Sequence, residues 1–285
     1  MAKAQSKSHS GGDAALRAAV SDVGAGPLTE LTQVDGQKVY RIETDGKSAI
    51  GLWEKLRKVV DKAGYWPIVM GRNDGPWSVE GLEETVKDVA NWVKALKKET
   101  GRTYDKKLGV TGMLLQAGLD LDSEAWLKKN RLPDTTEDDD EWAMMAAEEG
   151  ETIPKSKPNK IFRGVIESLS NKPLKKTSVT LWPTREGWQV PALMRYGGWN
   201  ACPMPHVQVM LLRRWKEKYD AELVVVAGDI VEMRVGRPPK TDGAALELAR
   251  EQYSYCDDIV IQGTMTLERL AECLKGGTVW YFWWD

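Results

Sequence analysis

A run of carboxylates divides this chain into two parts. Between Asp134 and Glu151 the sequence carries nine acidic residues and no basic one. Like charges at this density repel each other and stay in solvent, so such runs are often flexible. Trp142, Met144 and Met145 interrupt the run, and they could dock a short helix. The folded parts of the chain are therefore expected on either side of this segment.

Basic residues follow the acidic run at once. Seven of them lie between Lys155 and Lys176, so residues 134–177 are interpreted as a charged linker, acidic and then basic. The formal charge of −2, from 40 basic and 42 acidic side chains, hides this segregation. The linker is either a solvated segment whose halves partly neutralise each other or a docking surface for a charged partner. The near-zero net charge argues against a nucleic-acid-binding protein, because such proteins are usually strongly basic.

Several function classes are disfavoured by motifs that the sequence lacks. It contains no GxxxxGK[ST] loop, no GxGxxG after a strand, no HExxH, no GxSxG and no CxxC. These absences count against common ATPases, dehydrogenases, zinc proteases and α/β-hydrolases. No stretch approaches the ~18 apolar residues of a membrane span, and the first residues lack the apolar core of a secretory signal. We expect a cytoplasmic protein with reduced cysteines and no cofactor.

The part before the acidic run predicts an N-terminal α+β domain over residues 37–133, preceded by a flexible tail over residues 1–36. Residues 38–43 alternate polar and apolar side chains, as a half-buried strand does. Residues 65–70 predict another strand. Pro67 indicates that this strand lies at an edge of the sheet or contains a bulge.

A regular apolar stripe follows in the same part. Six apolar residues between Val79 and Leu96 recur at alternating spacings of three and four. This pattern predicts a helix from about Ser78 to Glu99. The stripe covers fewer than three heptads, so packing on the protein's own core is favoured over a coiled coil.

The part after the linker predicts a C-terminal α+β domain over residues 178–285. Its last strand carries large aromatic residues on both faces, so we expect a central or covered strand. A helix is expected to begin near Pro205. The predicted strands are residues 178–182, 189–194, 222–226, 230–235 and 278–284.

The fold class is therefore α+β, with mixed or antiparallel sheets and packed helices. The two parts share a coarse order of elements, in which a Trp-bearing helix leads to an apolar strand that ends in glycine. This order occurs over residues 52–71 and again over residues 210–228. It suggests two similar α/β halves, and chance similarity is the alternative.

Three separated motifs resemble a known family. They are Arg195–Pro203 (RYGGWNACP), Ala244–Cys256 with LAREQY at its centre, and the closing WYFWWD. In this order they resemble the bacterial domain-of-unknown-function family numbered 4253, over about residues 181–285. The resemblance implies a bacterial setting and no particular chemistry. Small bacterial families of this kind often prove to be immunity proteins or other interaction modules, which is an argument by association.

We therefore expect a non-enzymatic bacterial protein-interaction factor, of the immunity type that binds and neutralises a partner protein. The acidic run would engage a basic surface of that partner, and the C-terminal domain would be the folded platform. Trp and Arg often anchor such contacts. The candidate binding residues are Arg195, Trp199, Asn200 and Tyr253 in the C-terminal domain, and Asp138, Asp139, Asp140 and Glu141 in the acidic run.

A hydrolase or transferase is the alternative. Cys202 and His206 are four residues apart, which could pair a thiol with an imidazole on one helical face. The prolines between them argue against a regular turn, and a structural role is favoured for both. Glu251 and Asp257 could act as a carboxylate pair in hydrolysis. The interpretation favoured for Glu251 is a bond to the backbone or to an arginine. Asn200 would complete this site.

No metal site is expected. The chain has two histidines, of which His9 lies in the predicted tail, and one histidine supplies too few ligands for zinc. Asp120, Asp122 and Glu124 alternate as the oxygen ligands of a calcium loop do. The glycine and the closing glutamate of such a loop are missing from this segment. A third option for the chain is a structural component of a phage or secretion assembly. The sequence does not determine the oligomeric state.

Overall fold

The computed structural model describes residues 10–71, 81–87, 89–133 and 156–285. These residues form ten α-helices and seven strands. The helices are α1 (Ser10–Asp22), α2 (Gly46–Val59), α3 (Leu82–Lys87), α4 (Val89–Thr100), α5 (Gly109–Leu119), α6 (Ser123–Lys129), α7 (Val190–Met194), α8 (Pro205–Tyr219), α9 (Asp242–Tyr255) and α10 (Leu267–Leu274). The strands are β1 (Thr29–Val34), β2 (Gln37–Thr44), β3 (Trp66–Met70), β4 (Thr177–Trp182), β5 (Ala221–Val226), β6 (Ile230–Val235) and β7 (Val279–Trp283).

All seven strands join one mixed sheet. Their order across the sheet is β1-β2-β4-β3-β5-β6-β7. Neighbours are antiparallel, except that β3 and β5 run parallel. Helix α2 packs against β3 and β4, and α8 packs against β5. A mixed sheet with packed helices is the α+β fold that the sequence predicts.

The sheet crosses the predicted domain boundary at residue 178. Strand β4 lies between β2 and β3, and β5 pairs with β3 on its other side. The largest buried side chains of one continuous core come from both sides of the boundary, among them Trp53, Trp66, Trp182 and Trp215. Residues 37–133 and residues 178–285 therefore share both strand pairing and apolar burial.

The predicted flexible tail over residues 1–36 is wrong for residues 10–36. Helix α1 buries Leu16 and Val20, and β1 pairs with β2. Most apolar residues of α1 are alanines, so a periodic pattern of large apolar side chains is hard to see there. Packing against the rest of the molecule supplies the stability that a short isolated helix lacks. Residues 1–9 lie outside the described part of the chain.

Strand β3 is an interior strand, although Pro67 predicted an edge or a bulge. The pairing of β3 with β5 covers only Val69 and Met70, so no bond to β5 is needed at the proline. One residue earlier, the indole Nε1 of Trp66 donates to the carbonyl of Leu223 on β5 (3.0 Å). A side-chain hydrogen bond thus joins β3 to β5 next to the proline, outside the paired residues.

The predicted strand over residues 189–194 is a helix. A short 3₁₀ turn (Gly187–Gln189) leads into α7, whose side chains are all buried. Pro191 lies in the first turn of α7, where no intrahelical N–H bond is lost. A short apolar run has no periodicity that separates a buried strand from a buried helix. That ambiguity is the reason for the wrong prediction.

Strand β7 lies at an edge of the sheet rather than at its centre. At the start of this strand the backbone is bonded to another segment, because the Val279 N–H donates to the Asn159 carbonyl (3.2 Å). Both faces carry aromatic side chains, as the sequence predicts. Trp280, Phe282 and Trp284 are buried, and Tyr281 and Trp283 are half-buried.

Two predicted segments fall partly outside the described residues. The helix predicted over residues 78–99 is observed as α3 and α4, and residues 72–80 and residue 88 are not described. The acidic run, with Asp138, Asp139, Asp140 and Glu141, also lies outside. The basic half of the predicted linker is described from Ser156 onward, and it follows an irregular path to β4.

Candidate functional site

The three motifs that carry the family resemblance meet at one end of the sheet. The Asn200 side-chain amide donates to the Asp285 carbonyl (2.6 Å). The Asp285 N–H donates to Oδ2 of Asp258 (3.0 Å), just after α9. The Cys256 thiol donates to the Trp283 carbonyl (3.0 Å). Segments that are far apart in sequence therefore hold one another through direct hydrogen bonds.

The loop between α7 and α8, residues 195–204, has an uncommon backbone. Four of its first six residues have positive φ: Arg195 (54°), Gly197 (114°), Gly198 (85°) and Asn200 (43°). A Cβ atom at Gly197 would collide with the Pro203 carbonyl oxygen. Left-handed residues other than glycine cost free energy and persist only where surrounding contacts enforce them. We call this segment the 195–204 loop.

Gln208 is the contact that enforces the loop. It lies in the first part of α8 and is fully buried. Its Nε2 donates to the Tyr196 carbonyl (3.0 Å) and to the Pro203 carbonyl (3.1 Å), which closes the loop across its base. Its Oε1 accepts from the Tyr255 hydroxyl (3.0 Å). One side chain thus ties the loop to α8 and α9.

Aromatic rings pack against the buried side of the loop. The ring centroid of Trp284 lies 5.2 Å from Tyr255, 6.2 Å from Trp199 and 6.5 Å from Tyr196. Tyr196 and Trp199 meet edge to face at 5.0 Å. Such tilted pairs stabilise beyond simple burial. Trp199 is the one of these four rings that remains partly exposed, and exposed Gly198 and Asn200 flank it.

Arg195 and Tyr253, predicted as binding residues, lie in the interior. Arg195 is 1 % exposed, and its Nη2 lies 3.7 Å from Oδ1 of Asp35. Burial lowers the pKa of the Arg195 guanidinium, and Asp35 opposes that shift. Tyr253 packs in the core on the inner face of α9. Of the predicted binding residues that the structure describes, Trp199 and Asn200 reach the surface.

The predicted thiol–imidazole pair is not formed. The Cys202 thiol is buried beside Gln208, with Nε2 at 3.6 Å, and burial raises the pKa of this thiol well above its usual range. His206 is 2 % exposed, and burial lowers its pKa to about 4. Nδ1 of His206 has no hydrogen-bond partner within the described residues. A neutral imidazole and a neutral thiol without a mutual hydrogen bond do not constitute an activated nucleophile.

The two residues of the predicted carboxylate pair have different contacts. Glu251 accepts from Nη2 of Arg214 (2.6 Å), from Nε of Arg214 (3.1 Å) and from the Trp215 indole (3.1 Å). This side chain therefore joins α9 to α8, which is the structural role favoured for it above. Asp257 accepts from the Asp258 N–H (3.1 Å), and its carbonyl begins the following helical turn.

The described residues hold no group of three or more His, Cys, Asp or Glu side chains placed to bind a metal ion. The acidic side chains at 120–124 have other roles. Asp122 caps α6 by accepting from the N–H groups of Glu124 and Ala125. Glu124 accepts from Arg214, which lowers the pKa of that carboxyl group.

A carboxylate that sequence reasoning missed lies inside the sheet. Glu232 on β6 is completely buried and accepts from the N–H groups of Arg163 (2.6 Å) and Gly164 (2.9 Å). Desolvation outweighs these two bonds and raises its pKa to about 7. A carboxylate between the apolar residues Val231 and Met233 of the strand Ile230–Val235 was the available signal. Glu232 anchors the irregular basic segment on the sheet.

Comparison with known proteins identifies one family. Residues 178–285 match the model of a domain of unknown function (DUF4253). The matched range begins within β4 and contains all three motifs that meet at this end of the sheet. No curated protein and no solved structure matches the chain. Among the described residues, no helix combines the length and the apolar character needed to cross a membrane.

Proposed function

We propose that this end of the sheet, which lies in the part of the chain that matches the DUF4253 model, binds another protein, with Trp199 as the anchor. The observation that carries the proposal is the left-handed backbone of the 195–204 loop beneath a partly exposed indole. Strained, over-determined backbone concentrates at functional sites. A preorganised loop also loses little conformational entropy on binding.

The contacts of Trp199 suit such a role. Its ring is fixed against Tyr196 and Trp284, so the side chain is already ordered before a partner arrives. Indole rings supply large contact areas and are enriched among residues that dominate binding energy. The side-chain oxygen of Asn200 is a hydrogen-bond acceptor next to the ring, while its side-chain nitrogen donates to the Asp285 carbonyl. The pair therefore presents an apolar anchor and a polar neighbour.

The charges of the chain support a basic partner. The described residues carry 36 basic and 30 acidic side chains, whereas residues 134–155 carry nine acidic and one basic. Segregated charge steers association and discriminates between partners. We extend the proposal to an immunity-type factor of the cytoplasm, in which Asp138, Asp139, Asp140 and Glu141 approach a basic surface of the partner.

The contacts of the candidate catalytic groups support binding over hydrolysis. Glu251 is engaged by Arg214, and the Cys202 thiol has a raised pKa and lies in the interior. A hydrolase needs its nucleophile and base within hydrogen-bond reach of each other and of the substrate. The proposed surface needs only the exposed part of the 195–204 loop.

A site-specific crosslinking experiment tests the anchor. A photo-reactive analogue of tryptophan that keeps the indole ring replaces Trp199 in one variant of the full chain and Trp188 in a control. Trp188 is also half-buried, and its indole donates to Glu186 outside the loop (3.0 Å). We expect one dominant protein adduct in the native host from position 199 and none from position 188. Equal adducts from both positions, or none from either, would contradict the proposal.

The partner recovered in this way allows an affinity measurement by calorimetry. Trp199→Ala is expected to weaken binding by about 30-fold, as loss of a hot-spot residue of about 2 kcal/mol does. Trp188→Ala is expected to change it by less than about 3-fold. Circular dichroism and the urea midpoint of each variant establish that it is folded. An affinity unchanged by Trp199→Ala would exclude the ring as the anchor.

The acidic run is tested by charge removal without change of size. A variant with Asp138→Asn, Asp139→Asn, Asp140→Asn and Glu141→Gln is expected to associate about 10-fold more slowly at low salt, with little salt dependence left. Stopped-flow measurement gives the rate. An unchanged association rate would remove the electrostatic part of the proposal and leave the Trp199 part standing.

A further inference from the structure

One buried carboxyl group holds a short stretch of the irregular basic segment, and the proposed function does not use it. Glu232 on β6 is completely buried, and both of its oxygens accept from backbone N–H groups. Oε1 accepts from Arg163 and Oε2 accepts from Gly164. These two donors are consecutive residues of the stretch 160–164, which we call the strap.

The strap is attached at both ends by backbone hydrogen bonds to other segments. At one end, the Asn159 carbonyl accepts from the Thr278 N–H (2.9 Å), next to β7. At the other end, the Leu174 N–H donates to the Val165 carbonyl (2.9 Å), and the Leu174 carbonyl accepts from Gly46 (2.7 Å). The strap can therefore move away from the sheet without loss of either attachment.

Glu232 supplies the hydrogen bonds between the strap and the sheet. Among the described residues, no other N–H group of the strap donates to a strand. Gly164 lies so close to the sheet that a Cβ atom would collide with Val225 and crowd Oε2 of Glu232. The acceptor at position 232 therefore determines how firmly this stretch of backbone is held.

The side chains of the strap are mostly exposed. Phe162 packs against the apolar core, whereas Lys160, Ile161 and Arg163 are exposed. Segments that bury little apolar surface open locally at a small cost in free energy. Weaker binding of the strap by Glu232 is therefore expected to release the strap while the sheet stays folded.

The residues next to Glu232 leave it without an ion pair. The charged or titratable ones are Arg163 of the strap, Tyr281 opposite it on β7 and Arg234 on the same face of β6, while its partner on β5 is a valine. Arg234 forms its ion pair with Glu222 instead (2.6 Å). Arg163 favours the charged form of Glu232, but less than either N–H bond does.

Burial without an ion pair disfavours the charged form of this carboxyl group. It raises the pKa of Glu232 to about 7, although the two N–H bonds lower it. In an open strap, water hydrates the carboxylate, and its pKa returns toward the ordinary value of 4.5. The closed strap therefore binds the proton more tightly than the open strap. By linkage, closing is favoured at low pH, and this advantage is lost as the pH rises from about 4.5 to about 7.

We propose that Glu232 is a pH-dependent latch for the strap. The strap stays on the sheet while the buried carboxyl group keeps its proton, and it opens more often once the proton is lost. The change occurs near neutral pH, so a small shift of pH alters the fraction of molecules with an open strap. The strap and the 195–204 loop are separate, so this inference does not depend on the proposed function.

Amide hydrogen exchange of the full ¹⁵N-labelled chain tests the latch. The protection factor of an amide divides the intrinsic exchange rate of the peptide by the observed rate, so it reports opening at each pH. From pH 5 to pH 7, the protection factors of Arg163 and Gly164 are expected to fall about 30-fold. The Leu174 amide is bonded outside the strap, and its protection is expected to change by less than about 3-fold.

Two results of this experiment would overturn the proposal. Constant protection of Arg163 and Gly164 over this pH range would show that Glu232 does not control the strap. An equal fall in the protection of Leu174 would show that the opening is not local to the strap.

A matched pair of glutamate variants tests the carboxyl group itself. Glu232→Gln keeps the shape of the side chain and removes its titration, so the protection of Gly164 is expected to vary by less than about 3-fold from pH 5 to pH 7. Glu167→Gln removes a carboxylate outside the strap, which accepts from the Ser170 hydroxyl (2.6 Å), and is expected to keep the fall of about 30-fold. A pH dependence that survives in Glu232→Gln would contradict the role of this carboxyl group.

The amide signal of Gly164 gives a second measurement on the unaltered protein. Its chemical shift depends on the charge of the oxygen that accepts its hydrogen bond. We expect this shift to titrate with a midpoint near pH 7, as the raised pKa of Glu232 requires. A midpoint below about pH 5.5, close to that of an ordinary glutamate, would contradict the latch.

Discussion

At the scale of single residues, two buried glutamines in the matched domain have opposite surroundings. Gln208 donates to two carbonyl groups and accepts from the Tyr255 hydroxyl. Gln252 is equally buried, and its amide nitrogen has no acceptor within the described residues. The first side chain organises the 195–204 loop, and the second leaves a buried donor unsatisfied, which costs free energy.

Removing each amide therefore has a different expected effect. Gln208→Leu is expected to lower the free energy of unfolding by about 2–4 kcal/mol, because it leaves buried polar groups of three residues without a partner. Gln252→Leu is expected to change it by less than about 1 kcal/mol, since its amide nitrogen has no bond to lose among the described residues. Urea unfolding followed by circular dichroism measures both. Similar losses in the two variants would contradict this interpretation.

At the scale of elements, α2 shows how one helix uses glycine in two ways. Gly46 begins the helix where the irregular segment before β4 crosses it, and its N–H donates to the Leu174 carbonyl (2.7 Å). A Cβ atom there would collide with backbone atoms of Val165 and Leu174. Gly51 lies inside the same helix, and a Cβ atom at that position would point into open space. Only the first glycine is required by packing.

Alanine at the two positions is expected to act in opposite directions. Gly51→Ala is expected to raise the free energy of unfolding by about 0.5–1 kcal/mol, because alanine loses less conformational entropy in a helix. Gly46→Ala is expected to lower it by about 1–3 kcal/mol, because the segment that Glu232 anchors must move. Thermal unfolding of the two variants gives the comparison. Stabilisation by Gly46→Ala would show that the close approach is not required.

At the scale of the whole molecule, the shared sheet couples regions that the sequence separates. The only parallel pair of the described sheet, β3 and β5, joins residues from either side of the acidic run. Strand β4 is hydrogen-bonded on both edges by strands from the earlier part of the chain. Residues 178–285 alone would expose those edges and part of the apolar core.

The full chain is therefore expected to unfold in one cooperative transition. Tryptophan fluorescence and far-ultraviolet circular dichroism in urea are expected to give coincident midpoints. An isolated fragment of residues 178–285 is expected to lack a cooperative transition, because it lacks β2 and β3. Two separated transitions of the full chain, or cooperative unfolding of the fragment, would show that the predicted domains fold independently.

Elements with a clear local period were predictable, and elements without one were not. The alternation of polar and apolar residues identified β2, and a tight turn between two apolar runs identified β5 and β6. Both signals depend only on neighbouring residues. Helix α1 and strand β1 were missed, since their few large apolar residues become buried only against the rest of the molecule. In the candidate site, Trp199 and Asn200 were found from their motif. Gln208 was not, because an interior glutamine has no local pattern.

The sequence by itself determined the α+β class, most of the strands, the segregation of charge and the set of motifs in residues 178–285. These properties follow from side-chain periodicity and composition, which are local. The tertiary structure alone decided that one sheet joins strands from both sides of the acidic run, that the candidate catalytic groups are held in separate contacts, and that Gln208 closes the 195–204 loop while Gln252 is buried with its amide nitrogen unpaired among the described residues. Each of those depends on contacts between residues far apart in sequence, and pairing of that kind is not encoded in any short segment.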